Sequence, residues 1–163
     1  MATPTNLPAT VTTGQVLTAA YVNDLRGAFR VLQVVTATTA TQVGTTGADT
    51  DTGLTVTITP QSSSSKVLIV ALHNGFGKVG NVFAGVYLKR GSTTISTIGT
   101  TLANTQTSLT LIGAAANAIY LDSPATTSAT TYKTSFTSSG ATAYMQTDGA
   151  TSYIVAMELA PNA

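Results

Sequence analysis

The sequence predicts a mainly β protein: an antiparallel β-sandwich or jelly roll preceded by one short N-terminal helix. Three observations carry this. About nine or ten short β-like runs follow one another from Arg30 to Leu159, with turn signals between them. Threonine occupies 34 of the 163 positions, and a β-branched side chain with a hydroxyl suits a half-exposed strand without adding charge. Only GQVLTAAYVNDLRGAF, Gly14 to Phe29, has helical spacing.

Residues 1–14 hold two prolines and several threonines and are expected to form an extended arm. Thr18 is placed as an N-cap, and Val22, Leu25, Phe29 and Leu32 fall on one helical stripe. Gly27 weakens the interior and keeps the helix short. At Arg30 the period changes, and RVLQVVTATT reads as the first strand. GLTVTIT alternates, with Leu54, Val56 and Ile58 on one face, and Pro60 ends it; QSSSS is a polar turn. KVLIVALH, Lys66 to His73, is continuously apolar and reads as a central strand buried on both faces. VFAGVYLKR, the turn at Gly91-Ser92 and TTISTI read as a hairpin. Further strands are expected near Thr107–Ile112, Ala118–Leu121, Thr131–Thr137, Ala141–Gln146 and Ser152–Leu159. This pattern divides the chain into an arm and helix over 1–30 and a β-sandwich body over 31–163.

Composition narrows the function. Apolar residues make up 43% of the chain and charged residues only 8%, which argues against disorder. A net charge of +1 gives little colloidal repulsion, so such a surface is expected to be hidden in an oligomer or assembly. The seven Lys and Arg are scattered and form no basic stripe, which argues against nucleic acid. Cysteine is absent, so there is no disulfide frame or thiolate metal site. The first residues lack the basic and apolar regions of a secretory signal, and no run approaches the roughly 18 apolar residues of a membrane span. A mucin-like stalk would need more proline and a less regular alternation.

GFGKVGNV, Gly75 to Val82, matches G-x-G-x-x-G after a predicted strand. A dinucleotide site would need a helix next and an acidic residue about 20 positions on. A strand pattern follows instead, and no Asp or Glu lies between Asp51 and Asp122. The motif therefore reads as a flexible glycine loop, with Gly75, Phe76, Gly77, Lys78, Gly80 and Asn81 exposed and no nucleotide bound. His73, the only histidine, is expected at a strand end, without partners for a triad or a zinc site. Asp49 and Asp51 in GADTDTG are placed in a solvated loop, with a cation as the alternative. Tyr87, Tyr120, Tyr132, Tyr144 and Tyr153 sit inside strand patterns, which favours core or interface packing over a sugar platform. No set of residues points to an enzyme or to a cofactor.

The pieces GQVLTAAYVNDLR, VLQVVTATTATQV, TGLTVTITPQSSSSKVLIVALHNGFGK, VYLKRGSTTI and SYIVAMEL resemble bacteriophage virion proteins, the small fibre or decoration proteins of tailed phages of aquatic bacteria. The likeness runs from Gly14 to Leu159. TPQSSSSKVLIV with LKRGST is its more specific part, and the Gly14–Leu25 piece occurs at the start of many phage structural proteins. The resemblance implies a non-enzymatic β-sandwich body, often a homotrimer, attached to the particle by its N-terminal end. It implies no catalytic residues, and a virion location for a product made in the host cytoplasm.

On this reading Val16, Leu17, Tyr21, Val22, Leu25 and Phe29 are the candidate anchor to another virion protein, whether capsid, portal or tail. A short apolar stripe is not stable alone in water and must pack on something. Val86, Leu88, Tyr153, Val155, Met157 and Leu159 are candidates for the oligomer core or interface. The alternative function is a receptor-binding module for a host-surface glycan or protein, with Gly75–Asn81 and Thr100–Thr107 as the loops to test first.

Overall fold

The computed structural model describes residues 31–102 and 111–161, the former fully and the latter as backbone alone over 111–114, together with Thr13, Gly14, Val16 and Thr18. The expected helix, with Leu17, Tyr21, Val22, Leu25 and Phe29, and residues 103–107 of the expected loop lie outside these.

Two antiparallel sheets pack face to face. The larger contains β1 (Val31–Thr39), β2 (Val43–Thr45), β4 (Lys66–Lys78), β7 (Leu111–Asp122), β9 (Ala143–Met145) and β10 (Ser152–Leu159), in the order β1-β10-β4-β9-β2, with β7 on β4 as well. The smaller has β3 (Thr50–Ile58), β8 (Thr130–Ser138), β5 (Ala84–Arg90) and β6 (Thr93–Leu102), in that order. Every pairing is antiparallel, as a sandwich of short alternating strands requires.

Alternation fixes which side chains enter the core, because successive residues of a strand point to opposite faces. One cluster joins Leu54, Val56 and Ile58 of β3 with Val67, Ile69 and Ala71 of β4, Leu88, Tyr132, Ile154 and Ala156. A second joins Phe76, Ala84, Val86, Ala116, Phe136, Ala143 and Met145. Burying each large side chain contributes about 1.5–3 kcal/mol. Between the clusters the strands carry polar residues: His73 lies between Ala71 and Phe76 on β4, and Thr134 between Tyr132 and Phe136 on β8. Thr134 Oγ1 meets Thr52 Oγ1 at 2.7 Å.

Two polar clasps close the end where β1 begins. Buried Glu158 accepts from Gln33 Nε2 (2.6 Å) and from the Gln61 backbone N–H (2.8 Å), so the QSSSS turn is built around a carboxylate on β10. Burial would raise its pKa; the hydrogen bonds from Gln33 and the Gln61 N–H outweigh that and hold it below the ordinary value. Arg90 Nη1 donates to both oxygens of Asp122 (3.0 and 2.8 Å), and the Tyr132 hydroxyl donates to the same carboxylate (2.6 Å), joining the two sheets. Burial and the Asp122 charge push the Tyr132 hydroxyl pKa upward.

Several expectations change. The hairpin at Gly91-Ser92 forms, with Gly91 at φ 58. The runs expected at Thr107–Ile112 and Ala118–Leu121 meet in one strand, β7, among the described residues. His73 is no strand-end residue: β4 continues five residues past it, and its side chain is fully buried. The exposed glycine loop is also corrected. Gly75 to Lys78 belong to β4, and Phe76, Gly77 and Lys78 are buried. A bulge at His73–Phe76 lets the strand run on through the glycines, and only Val79–Phe83 connects β4 to β5.

Candidate functional site

The outer face of the larger sheet is apolar. On β10, Ile154 and Ala156 point into the core, which turns Tyr153, Val155, Met157 and Leu159 outward. On β4 the same parity turns Leu68, Val70 and Leu72 outward; on β7 it turns out Asn117, Ile119 and Leu121. On β1 it turns out Val34, Thr36 and Thr38.

Register assembles these into rows across four strands. One row is Val34–Met157–Leu68–Leu121 and the next is Thr36–Val155–Val70–Ile119. The third, Thr38–Tyr153–Leu72–Asn117, is mixed. Ile119 is 77% exposed, Val34 52%, Leu121 48%, Tyr153 45% and Leu72 41%. Charge enters this part of the face only at its border, with Lys66 opposite Leu159.

The expected interface residues therefore separate. Val86 and Leu88 are fully buried in the chain's own core, whereas Tyr153, Val155, Met157 and Leu159 lie on the outer face. Sequence reading missed Leu68, Val70, Ile119 and Leu121. The signal was present: the continuous run KVLIVALH implied apolar neighbours on both faces of β4. The core covers one face, while Leu68 and Val70 are half-buried and Leu72 exposed on the other.

The far end of the body holds a cleft of about 150 Å³, lined by Gln42, Gly77, Lys78, Val79, Tyr144, Thr147 and Asp148. Its wall is a turn after β9, and two of its residues are left-handed without being glycine: Gln146 (φ 56) and Asp148 (φ 55). Gly75 makes room for this turn. Its φ is +65, and a Cβ there would lie 2.7 Å from Ala150 Cβ and 2.8 Å from Thr147 N. Thr147 Oγ1 donates to Gly75 O at 2.8 Å. With its oxygen on the Ser152 hydroxyl (3.0 Å), the buried Gln146 amide donates to Thr52 O and Thr41 O (3.2 Å each). Lys78 Nζ donates to Gly80 O at 2.9 Å.

The other sequence candidates are placed as follows. Gly80 and Asn81 lie in the short connection after β4, with Asn81 exposed. Asp51 lies in β3, in no solvated loop, and pairs with Lys133 (2.7 Å), while Asp49 pairs with Lys89. The Lys89 hydrogen bond holds Asp49 below the usual carboxylate range. With lysines on both carboxylates, the pair makes a poor cation site, and among the described residues no three His, Asp or Glu side chains converge on a metal position. Neither ring nitrogen of His73 has a hydrogen-bond partner, and burial drops its pKa to about 4. Of the six anchor candidates only Val16 is described, and it is exposed. No helix among the described residues is long and apolar enough to cross a membrane.

No protein-family model and no curated protein matches the chain. Among solved structures it is similar to the VP2 subviral particle of infectious bursal disease virus, at 14% identity over 77% of this chain and 32% of that one, with a TM-score of 0.41. It is also similar to T=1 particles derived from a mutant VP2 of the same virus, at 15% identity over 81% and 38%, with a TM-score of 0.42. The chain spans well under half the length of these proteins.

Proposed function

We propose that this chain is a non-enzymatic structural protein of a bacteriophage virion, a trimeric fibre or a decoration (cement) protein. Its apolar sheet face packs on sister copies, and residues 1–30 moor it to another virion protein. The observation that carries the assembly part is the run of apolar rows across β1, β10, β4 and β7. Four strands about 4.8 Å apart and seven residues long make a face of roughly 400 Å² in projection. That is at the scale of the largest patch a monomer normally leaves exposed, about 300–600 Å². Covering that face buries roughly 400 Å² of each copy, about half of the roughly 800 Å² per partner of a standard interface.

The mooring part is supported by connectivity and by the phage-like motifs. β1 starts at Val31, opposite Leu159, at the Glu158-clasped end of the larger sheet. Symmetric copies packed through that sheet bring three N-terminal segments to one end of the assembly. A chain starting at Arg30 tests both parts. Light scattering of the truncated chain is expected to give a folded oligomer, and assembled particles are expected to lack it. A stable monomer at micromolar concentration overturns the assembly; incorporation without residues 1–30 overturns the anchor.

The second reading, a receptor-binding module, has one observation of its own. The cleft lies at the Lys78 end of β4, about 40 Å along the strand from the Lys66 end where β1 begins. A body moored at one end presents the other outward.

A further inference from the structure

We propose that the cleft between β4 and the turn after β9 binds one neutral pyranose ring, as the terminal sugar of a host-surface glycan. The inference rests on the receptor-binding reading and gives that reading an address.

The first argument is size. A volume of about 150 Å³ is half or less of the roughly 300–1,000 Å³ of a drug-sized or cofactor pocket. That is the scale of a single sugar ring rather than of a dinucleotide. The second is the chemistry of the lining. A pyranose has an apolar C–H face and an edge of hydroxyls that both donate and accept. Tyr144 offers an aromatic surface and exposed Val79 an apolar edge. The exposed Asp148 carboxylate accepts hydrogen bonds, and the exposed Gln42 amide both donates and accepts. The lining holds one cation, Lys78, and one anion, Asp148, so it carries no net charge, which suits a neutral ligand.

The third argument is preorganisation. Gly44 faces Tyr144 across β2 and β9, and a Cβ at Gly44 would lie 3.0 Å from Tyr144 Cδ1 and Cε1. The ring therefore lies against bare backbone, which fixes its plane. Asp148 is held left-handed by a turn whose neighbours are all engaged: Thr147 with Gly75, Ala150 N–H with Thr147 O (3.0 Å), and Gln146 with Ser152. Among non-glycine residues Asp and Asn adopt this conformation most readily, and the hydrogen-bonded turn holds it in place. Here it sets Asp148 in the cleft lining.

Saturation-transfer NMR on the full-length protein, with the methyl glycosides of glucose, galactose and mannose as probes, tests this. At least one is expected to saturate at millimolar concentration. Tyr144→Ala and Asp148→Asn are each expected to weaken it at least tenfold. Asn tolerates a left-handed backbone, so Asp148→Asn should melt no lower than the parent, which separates lost binding from lost fold. No saturation by any of the three, or binding that survives both substitutions, overturns the proposal. Adhesion of the parent protein to host cells separates this from the reading beneath it. If the parent adheres and both variants adhere equally, the cleft is wrong and the receptor reading stands. If a glycoside binds as described but the parent does not adhere, the cleft is right and the receptor role fails.

Discussion

The two outer faces of the sandwich are built by the same rule of alternation and reach opposite surfaces. On the smaller sheet, Thr57 faces Thr131, and their hydroxyls meet at 2.8 Å. Thr55, Lys133 and Lys89 form the next row, and each lysine is matched by an aspartate, Asp51 or Asp49. Two like charges directly opposite on neighbouring strands would repel, and the aspartates relieve that. On the larger sheet the corresponding rows are Val, Met, Leu and Ile. One face pairs its threonine hydroxyls and its lysines with its own side chains, leaving Ser135 Oγ as the exception. The other leaves Ile119 77% exposed, and on the proposed assembly sister copies cover it. Exposure is thus a better guide to the assembly side than apolar content, since Val86 and Leu88 are as apolar and are spent in the core.

Charging the apolar face should have the largest effect. Val70→Lys with Ile119→Lys places two cations opposite each other on β4 and β7. The oligomer's dissociation constant is expected to rise more than a thousandfold, about 4 kcal/mol. The same change on the polar face, Thr57→Lys with Thr131→Lys, should leave the oligomer intact. Sedimentation of the two double variants at equal concentration is the measurement. A doubly charged apolar face that still assembles would break the comparison.

Next in size is an acid effect lodged between the faces. His73 is buried with a folded pKa of about 4 against an ordinary value of 6.5. The unfolded chain therefore binds this proton more readily. Stability is full above pH 6.5, falls as pH drops toward 4, and levels off below, for a total of about 3 kcal/mol. His73→Phe should flatten that window in urea unfolding followed across pH. It should cost little at pH 7, because it also removes two unpartnered ring nitrogens. Acid loss from Glu158 and Asp49, whose pKa values are lowered, belongs to a lower window, below the ordinary carboxylate range. A His73→Phe profile that still slopes between pH 6.5 and 4 would assign the effect elsewhere.

The smallest effect belongs to the polar face. Asp49→Asn and Asp51→Asn each remove an exposed ion pair and should cost about 0.5 kcal/mol or less. The loss should fade in high salt, where such pairs are screened. Denaturation midpoints in low and high salt check this. A cost of several kcal/mol would mean that the two faces are less different than their side chains suggest.

How much of this could be read beforehand varies by element. β3, β5 and β10 are recognisable because each is an alternating run closed by a turn residue, and alternation is a local property of the backbone. Leu54, Val56 and Ile58 could be assigned to the core for that reason. The hairpin at Gly91 was legible because a left-handed turn position calls for glycine. The apparent glycine loop at Gly75–Asn81 misled for the complementary reason. Glycine signals conformational freedom, and only packing decides what it is used for. Here Gly75 admits the backbone of Thr147 and the side chain of Ala150 from 72 and 75 residues away, while the strand runs on.

The sequence by itself determined the class of fold, alternating strands such as β3, β5 and β10, and the low surface charge, because these depend on residue type and on spacing along the chain. Which outward face is left uncovered was a tertiary decision. It depends on the pairing of Leu68 with Leu121 and of Val70 with Ile119, more than forty residues apart in the chain. The cleft was another. Gln42, Lys78, Tyr144 and Asp148 have no shared pattern in sequence, and only the closure of β9 and β2 onto the end of β4 brings them to one place.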